Sequence, residues 1–595
     1  MATRPLRNVR DAALQSLVFK HETPGIPAVP LKTLAAKMAA AEAMPPTPER
    51  IGLKVVTRPG REDEASAWVE SRGGRLISTG DKVLVAELPP ESLSQLDSCP
   101  GIQRAEASRQ FQTRLDQARG VATGLDTALT AHPLNGSGVV VGIVDTGVDY
   151  SHEDFRNDDG STRLELFAFA SRPNGAPTST IREFNSAAIN AALGGGAAIP
   201  QGDPIGHGTH CASIAAGNGR ALNGQFHGVA PKAALVAVRS EPLLDDHIIW
   251  GIRRAFAVAG NRPAVVTLSL GGHLGPHDGT SAVENVIARE SGPGRIVVVA
   301  AGNEGGDNIH FRGELTAGQD LVIPVTVTDS NLVFADVWVP RGDDVDVSIE
   351  TPGGTSHAPT GATVTTPSGL FEGHWQEDPV NRDQNLTLFI AQGHPGDVWH
   401  IRLHAVSVLQ GDVHAWGGTA NSSTSANLFP AGTGDGFSLG MPATEERCIA
   451  VASFVSRAHF QASGGGVIGN GLVPGQLSSF SSRGPSRYGM LKPDVAAPGQ
   501  FITAALASSS DFAAQLAPRV HTSGKYITIQ GTSMATPFIA GIIALLLERE
   551  PKLTPEEVQQ RLRVTARRDA QTGRVWHPGF GFGKIDVEAL LDYQA

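Results

Sequence analysis

A short polar turn that leads into a wholly apolar run constrains the fold of this chain more than any other feature. The turn reads GTSMATP at residues 531–537, and the run FIAGIIALLL follows at residues 538–547. Because the run has no polar stripe, a helix formed from it must be buried on all sides. At about ten residues, it is too short to span a bilayer. The segment therefore predicts a buried core helix.

Ser533 lies in the turn at the start of this predicted helix. Pro537 fits the first turn of a helix, where its missing N–H has no intrahelical partner to lose. Free backbone N–H groups and the positive end of the helix dipole then converge near Ser533, which suits a nucleophile whose attack creates an oxyanion. The alternative is that Thr532 or Ser533 only caps the helix, the commoner role of an isolated serine at such a place. Partner residues elsewhere in the chain must decide between the two.

Length and composition limit the class of protein. With 595 residues, the chain is too long for one core, and we expect roughly two to four domains. A net charge of −11 predicts solubility and argues against nucleic acid as a main partner. The three cysteines are too few and too scattered for a disulfide framework or a zinc site. The N-terminus shows no secretory signal, and no stretch reaches membrane-spanning length.

The N-terminal part of the chain divides into two segments. Residues 1–48 are expected to form an extension and linker, because an Ala-rich stretch is followed by several prolines. Residues 49–115 predict a small α/β unit, with helices around residues 62–71 and 91–97. The order of its strands and helices, βαββαβ, is the ferredoxin-like arrangement.

From about residue 120, strands alternate with helices, which predicts a mainly parallel sheet flanked by helices. This α/β pattern covers residues 120–310 and resumes over residues 430–595. Between them, residues 311–429 alternate with period 2 and show almost no helical signal. That segment predicts an inserted all-β sandwich or jelly roll. We expect the insert to have its own core and to lie beside the functional edge of the sheet.

Three further polar residues occupy positions that suit chemistry. Asp145 follows the apolar run of a buried strand, on the side where open α/β sheets gather their sites. His207 opens a predicted helix between two glycines, and Asn303 ends a second buried strand. Each of them alone could serve only as a cap or turn residue. Together with Ser533, however, they supply a base, a carboxylate to orient it and a donor for an oxyanion.

The segment VDTG at residues 144–147 would also fit an aspartic protease, in which two carboxylates share a proton. That interpretation needs a second such motif or a symmetric dimer. The chain contains no second motif, and a parallel α/β domain is the wrong frame for this chemistry. The serine-based interpretation is therefore preferred.

The order Asp145, His207, Ser533, with Asn303 between the last two, is the order found in subtilisin. Over about residues 120–310 and 440–590, the chain resembles the subtilisin-like serine peptidases, or subtilases. Eight motifs carry the resemblance, and they are VGIVDTGVD (141–149), GHGTHCA (206–212), GVAP (228–231), SLGG (269–272), AAGN (300–303), SFSSRGP (479–485), KPDVAAPG (492–499) and GTSMATP (531–537).

The resemblance implies a serine endopeptidase that forms an acyl-enzyme. Ser533 would be the nucleophile, His207 the general base and then acid, and Asp145 the residue that orients His207. Asn303 would contribute its side-chain amide, with the Ser533 backbone N–H, to the oxyanion hole. Cys211, one turn after His207, is expected beneath it on the same helix face. The resemblance also implies a substrate-binding segment, made of Ser269, Leu270, Gly271, Gly272, Ala301 and Gly302.

Further expectations follow from the same resemblance. Residues 50–107 are similar to the inhibitory propeptide of the family, which implies a zymogen whose partners are its own propeptide and peptide or protein substrates. Family habit favours secretion, although the N-terminus shows no signal. No cofactor is required; some relatives ligate calcium at the position of Asp154, but the loop 218–227 holds few carboxylates. The alternative function is a catalytically silent scaffold of the same fold that binds partners through the β insert.

Overall fold

The computed structural model describes residues 51–107 and 123–594, with gaps inside these ranges at 58–59, 81–82, 90–91, 93–94, 97, 100, 172–178, 329–331, 379, 420–427, 431–435, 464 and 470. The predicted extension at residues 1–48 lies outside the described residues. So does the stretch that joins the N-terminal unit to the α/β part.

The described part of residues 51–107 contains one helix and four strands. Its elements are β1 (Ile51–Thr57), α1 (Glu62–Ser71), β2 (Arg75–Gly80), β3 (Val83–Leu88) and β4 (Ile102–Ala107). The strands pair as one antiparallel sheet in the order β2-β3-β1-β4. Where the sequence predicts a second helix, the described residues 92, 95, 96 and 98 lie in short 3₁₀ turns.

The next part of the chain alternates strands and helices. Its helices are α2 (Leu125–Ala131), α3 (Ser186–Leu193), α4 (His207–Ala216), α5 (Asp245–Ala259) and α6 (Ala282–Glu290). Its strands are β5 (Val140–Asp145), β6 (Leu164–Ser171), β7 (Thr180–Asn185), β8 (Ala234–Glu241), β9 (Ala264–Leu268) and β10 (Arg295–Ala300). The start of α6 is fixed by a capping box between Ser281 and Glu284.

An all-β insert follows β10. Its strands are β11 (His310–Glu314), β12 (Asp320–Thr326), β13 (Leu332–Val339), β14 (Asp344–Glu350), β15 (Ser356–His357), β16 (Val364–Thr366), β17 (Gly369–Glu377), β18 (Gln384–Ala391), β19 (Val398–Ser407) and β20 (Asp412–Thr419). They form two antiparallel sheets, in the orders β11-β20-β13-β18-β17-β16 and β12-β19-β14-β15. Both sheets contribute to one apolar cluster, in which Trp399 is fully buried and packs edge-on against Phe371.

The chain then returns to the α/β part. Its strands are β21 (Ile449–Phe454), β22 (Phe460–Gln461), β23 (Val467–Ile468), β24 (Val495–Pro498), β25 (Ile502–Ala505) and β26 (Tyr526–Ile529). Its helices are α7 (Asp511–Gln515), α8 (Thr532–Arg549), α9 (Pro555–Thr565) and α10 (Val587–Asp592). The start of α9 is again fixed by a capping box, between Thr554 and Glu557.

The central sheet has eight strands in the order β24-β21-β10-β9-β5-β8-β6-β7. All neighbouring pairs are parallel except β6 and β7. The predicted α/β fold with a mainly parallel sheet is therefore confirmed. Because β10, β9 and β5 are neighbours, Asn303, Ser269 and Asp145 lie at or just beyond the carboxyl ends of adjacent strands, at one edge of the sheet.

Helix α8 is the centre of the α/β core. It has 18 residues, so it is longer than the apolar run alone indicates, and residues 532–547 are all buried. It packs against α4 and against β9, β10, β21 and β24. Its length and composition would also suit a membrane-spanning helix, but 83% of it is buried inside the protein. It is therefore a core helix.

Side chains of the insert hold the loop that follows β9. Asp336 on β13 is buried and accepts a hydrogen bond from the backbone N–H of Gly275 at 2.8 Å. Arg487, from the α/β part, pairs with Asp278 of this loop and with Asp383 of the insert, each at 2.7 Å. These charged side chains are at most 2% exposed. The loop beyond β9 is thus bound on one side by the insert.

Four histidines and a tryptophan form a buried stack across the same interface. His273 and His277 of the loop stack at 5.5 Å, and His277 lies on the ring of Trp416 at 4.0 Å. On the insert, His310 Nε2 and His414 Nδ1 are 2.9 Å apart. Burial lowers the pKa values of His277, His310 and His414. These rings are therefore neutral near pH 7.

We expect the interface between the loop and the insert to weaken in acid. The pKa values of three buried histidines are lowered, so their contribution to stability is complete above the unfolded value of about 6.5 and is lost as the pH falls through the lowered values. The groups facing them are His273, Arg312, Asp412 and Arg487. Hydrogen exchange of residues 273–281, corrected for its intrinsic pH dependence, should therefore quicken between about pH 7 and pH 5.

Two variants sharpen this test. His277→Phe keeps a ring in the stack but cannot be protonated, and should reduce the acid sensitivity. His404→Gln changes an exposed histidine of the insert and should leave the acid sensitivity as it is. Unchanged protection of residues 273–281 at about pH 5 would contradict the prediction.

Candidate active site

Asp145 and His207 form a short hydrogen bond at the edge of the parallel sheet. Asp145 is the last residue of β5, and His207 is the first residue of α4. His207 Nδ1 lies 2.7 Å from Asp145 Oδ1, which also accepts a bond from the Thr146 N–H at 2.7 Å. Because a carboxylate can only accept, we assign the Nδ1 proton to His207, which leaves Nε2 as the basic nitrogen. This is the pairing that a general base requires.

Two opposing effects set the pKa of His207. Burial disfavours the imidazolium, but the charge and hydrogen bond of Asp145, together with the contact to Cys211, outweigh burial, so the pKa of His207 lies well above its ordinary value of 6.5. Burial also raises the pKa of the neighbouring Cys211 thiol. That thiol is therefore neutral at pH 7.

Ser533 is in the first turn of α8 and is 8% exposed. The N-cap residue of the helix is Gly531, so Ser533 does not serve as the helix cap. Its hydroxyl donates to the Ser269 carbonyl oxygen at 3.2 Å rather than to His207. Rotation about the Cα–Cβ bond moves this oxygen between staggered positions, and catalytic hydrogen bonds often form only when substrate is bound.

Pro537 does not lie in the first turn of the helix, as the sequence suggested. It is the sixth residue of α8 and so lies in the second turn, where its missing N–H leaves the Ser533 carbonyl oxygen without an intrahelical donor. That oxygen instead accepts from Ser269 Oγ at 3.0 Å and from Cys211 Sγ at 3.4 Å. Because of the proline, the Ser533 carbonyl is free to bind Ser269, just after β9, and Cys211 on α4.

Cys211 lies beneath His207, as predicted. Its sulfur is 3.9 Å from His207 Nδ1 and 3.4 Å from the Ser533 carbonyl oxygen, so one buried atom touches both residues. Among the described residues, one group of three potential metal ligands lies within 4.8 Å, and it consists of Asp145, His207 and Cys211. Since His207 Nδ1 carries the proton shared with Asp145, this group is better explained as the hydrogen-bonded pair itself.

Asn303 is held so that its amide N–H₂ remains available. Its Oδ1 accepts from the Thr532 N–H at 2.9 Å and from Thr532 Oγ1 at 3.1 Å. A Cβ atom placed on Gly531 would lie 3.6 Å from both Asn303 Nδ2 and Ser533 N. The two donors therefore border the same small space next to Gly531. This is the arrangement that an oxyanion hole requires.

The segment after β9 offers main-chain groups at the edge of the site. Gly272 is already paired with Met441, through N–H···O bonds of 3.0 and 2.9 Å in the two directions. The backbone groups of Leu270 and Gly271 have no hydrogen bond to any other described residue. The Ser269 carbonyl is bound to Ser533. An extended peptide thus finds open groups chiefly at Leu270 and Gly271.

Ala301 and Gly302, which precede Asn303, are hydrogen-bonded to neighbouring segments of the protein. Ala301 is fully buried, and its N–H and carbonyl bond to Val451 and Gly440 at 3.0 and 2.9 Å. The Gly302 N–H donates to Thr532 Oγ1 at 3.3 Å, and its carbonyl accepts from Ser482 N at 3.0 Å. Both residues thus have their main-chain groups satisfied within the protein.

The sequence does not predict two residues that contact this region, Glu304 and Met441. Glu304 accepts from the Asn303 N–H at 2.7 Å and lies 3.3 Å from His273 Nε2. Met441 closes one end of the open segment by pairing with Gly272. Glu304 directly follows the AAGN motif, and this position is a weak signal of a role in the site. Met441 lies in no recognised motif. It pairs with a residue 169 positions away, which no local sequence pattern can predict.

Asp154, the candidate calcium ligand, already has hydrogen-bond partners within the protein. Its Oδ1 accepts from Tyr526 OH at 2.8 Å and from Ala221 N at 3.1 Å. Burial raises the pKa of this carboxyl. The buried guanidinium of Arg163 donates to the backbone carbonyls of Asp154, Ala216 and Ala233 at 2.7–3.1 Å. The arginine thus already takes these carbonyls beside the carboxylate, whereas Asp154 Oδ2 has no hydrogen-bond partner among the described residues.

The parallel sheet, the Asp–His pair and the serine at the start of a buried helix place the chain among the serine hydrolases of α/β fold. The family follows from the match to a family model. The model of the subtilase family matches residues 136–385 and 400–583, and the chain belongs to this family. It is a serine endopeptidase.

Individual relatives agree with this assignment. The chain is 24% identical over 484 residues to the serine protease AprX of Bacillus subtilis, covering 80% of this chain and 72% of the relative. It is 25% identical over 457 residues to the minor extracellular protease Vpr of the same organism, covering 72% of this chain and 48% of that one. The solved structure of the Clostridium perfringens CspB protease matches with 25% identity and a TM-score of 0.65, over 80% of this chain and 96% of that chain.

We expect Asn303→Ala to lower kcat while changing KM little, because the lost amide is needed only when the carbonyl oxygen becomes charged. The size of loss known for a subtilisin that lacks this donor is on the order of 10²–10³-fold in kcat. Steady-state kinetics on a short peptide substrate measures both constants. The control is Asn285→Ala, whose amide donates to the Thr280 and Ser281 carbonyls at the start of α6. An equal loss in the control, or a change in KM alone, would contradict the role of Asn303.

Proposed function

We propose that this chain hydrolyses peptide bonds with Ser533 as nucleophile, His207 as general base and acid, and Asp145 as the residue that orients His207. The observation that carries the proposal is the 2.7 Å pair of His207 with Asp145. It is supported by Cys211, whose sulfur contacts both His207 and Ser533 and so shows that these two residues share one small region.

The reaction would begin with rotation of the Ser533 hydroxyl away from the Ser269 carbonyl. His207 Nε2 takes the hydroxyl proton as Ser533 Oγ attacks the peptide carbonyl carbon, and the carbonyl oxygen gains the charge. Asn303 Nδ2 and Ser533 N donate to that oxygen. His207 then gives its proton to the leaving amine, and water, activated in the same way, releases the acyl group from Ser533.

Substrate polypeptide would bind in an extended form along Leu270 and Gly271. Their unpaired backbone groups can add the substrate as a further strand, as in other cases of β-strand addition. Such pairing recognises the main chain and not the side chains. The substrate class is therefore polypeptide in an extended conformation, and folded proteins would be cut in exposed or mobile segments.

We further propose that residues 51–107 are an inhibitory propeptide, so that the enzyme is made as a zymogen. The support is the four-stranded unit directly upstream of the α/β part. The fifteen residues 108–122 can span up to about 50 Å when fully extended. Processing is expected between about Ala107 and Gly120.

One observation favours the alternative of a catalytically silent scaffold. The Ser533 hydroxyl is bonded to Ser269 and not to His207. A single rotation separates this state from a reactive one, and the donors beside Gly531 would have no purpose in a scaffold. A fluorophosphonate probe distinguishes the two, because it labels Ser533 only when the hydroxyl is activated.

Ser533→Ala should abolish hydrolysis and leave the fold intact, because only one hydroxyl is removed. The same variant should fail to cut itself between residues 107 and 120 if processing is autocatalytic. Peptide turnover and N-terminal sequencing of the purified protein measure the two effects. Turnover by Ser533→Ala above the residual rate of an oxyanion hole would show that the nucleophile is another residue. Full activity of uncut wild-type protein would contradict the zymogen proposal alone.

The pH profile tests His207 directly. His207 must be neutral to act as a base, so kcat/KM should rise with pH through the pKa of His207. Since the Asp145 carboxylate raises that pKa despite burial, the midpoint should lie above 6.5. Asp145→Asn should lower the midpoint and reduce kcat by on the order of 10⁴-fold. A profile that is flat from about pH 5 to pH 8 would exclude a histidine base.

A further inference from the structure

A second buried carboxylate lies behind the Asp145–His207 pair. Asp203 is 1% exposed and four residues upstream of His207. Its Oδ1 accepts from Thr146 Oγ1 at 2.9 Å and from Gly206 N at 2.8 Å. Its Oδ2 accepts from the Thr209 N–H at 2.8 Å and from Thr209 Oγ1 at 2.7 Å. All four donors therefore belong to residues within two positions of Asp145 or His207.

These hydrogen bonds require the carboxylate form of Asp203. Thr146 Oγ1 accepts from the Gly208 N–H at 3.0 Å, and Thr209 Oγ1 accepts from the Asp149 N–H at 2.9 Å. Each hydroxyl accepts there and directs its own proton to Asp203. The side chain thus collects two hydroxyl and two backbone N–H donors, and a protonated carboxyl would have to replace one of them.

The two segments that Asp203 joins also touch backbone to backbone. Gly147 adopts a φ of +119°, and a Cβ atom there would lie 1.9 Å from the Gly202 carbonyl oxygen. A Cβ atom on Gly208 would lie 2.1 Å from the Gly147 carbonyl oxygen. No side chain can be placed between the segments, so their separation is set by the glycines and their relative position by the bonds to Asp203.

We propose that Asp203 is a positioning residue for catalysis. It binds Thr146, beside Asp145, and also Gly206 and Thr209, near His207, and so holds Asp145 and His207 at hydrogen-bonding distance. The proposal rests on the proposed roles of Asp145 and His207. Asp203 does not touch the open main chain of Leu270 or Gly271, so it acts on the rate of the chemical step rather than on substrate binding. Burial and the nearby Asp145 carboxylate raise the pKa of Asp203, which is the cost of placing a second acid here.

The test is Asp203→Asn in the full chain. Both carboxylate oxygens receive a backbone N–H, so an amide in either orientation turns its N–H₂ towards one N–H donor and breaks that bond. The misplaced pair should lower kcat on the order of 10²-fold with little change in KM. The proton on His207 Nδ1, observed by NMR in protein with ¹⁵N-labelled histidine, should lose the downfield shift that its short bond to Asp145 produces.

Asp343→Asn is the matched control for simple loss of stability. Asp343 is a buried carboxylate of the insert that also collects backbone N–H donors, from Leu409, Gln410 and Gly411. The Asp343→Asn variant should lower the thermal midpoint of unfolding, as Asp203→Asn does, but it should leave kcat and the His207 resonance unchanged. An equal fall of kcat in this control would overturn the proposal, because destabilisation alone would then explain both variants.

The hydroxyl of Thr146 provides an independent variant. Thr146→Val removes the link between Asp203 and Gly208, whereas Thr146→Ser keeps the hydroxyl and should keep the activity. If Asp203 acts through this link, the double variant Asp203→Asn with Thr146→Val should lose clearly less kcat than the product of the fold-losses of the two single variants. Wild-type kcat and an unchanged His207 resonance in Asp203→Asn would overturn the positioning role. If Ser533→Ala stays active, the proposed function itself fails, which is a distinct result.

Discussion

The interaction on which the site depends most is the double link between Ser533 and Ser269. The Ser533 hydroxyl donates to the Ser269 carbonyl, and the Ser269 hydroxyl donates to the Ser533 carbonyl that Pro537 leaves unpaired. This link fixes the first turn of a helix that is buried on all sides to the end of a central strand. The proposed nucleophile therefore has a fixed place relative to Leu270 and Gly271, the segment proposed to offer main chain to a substrate.

Much of this arrangement could be predicted from the sequence, because it follows from local patterns. Buried apolar runs indicate β5 and β10, and the carboxyl ends of parallel strands then place Asp145 and Asn303 at one edge. Other features could not be predicted, since they depend on contacts between distant segments. The pairing of Gly272 with Met441 and the bonds to Asp203 are of this kind. The sequence places Pro537 in the wrong turn because nothing in the polar residues before it shows that the helix already includes them.

The insert illustrates the same limit. Its alternating pattern indicates strands and a core of its own, and both are present. The pattern cannot show that Asp336 would bind the Gly275 N–H or that Trp416 would stack on His277. Through these contacts, the insert holds the loop that leaves the substrate segment. Through His273 and Glu304, the same loop also reaches the backbone of Asn303. A chain of contacts through this loop and Glu304 thus joins the insert to Asn303.

The site divides into parts that are fixed and one part that can move. Asp145 and His207 are joined by a 2.7 Å bond and backed by the bonds to Asp203, and the Asn303 amide is oriented by two donors on Thr532. In the proposed reaction, the Ser533 hydroxyl leaves the Ser269 carbonyl by rotation about its Cα–Cβ bond and turns towards His207. Fixed dipoles stabilise developing charge without reorganising, whereas Ser533, as the proposed nucleophile, has to leave its resting bond to react. The hydrogen bonds of Asp145, His207 and Asn303 thus fix most of the candidate site, and the Cα–Cβ torsion of Ser533 is the one that the proposed reaction has to turn.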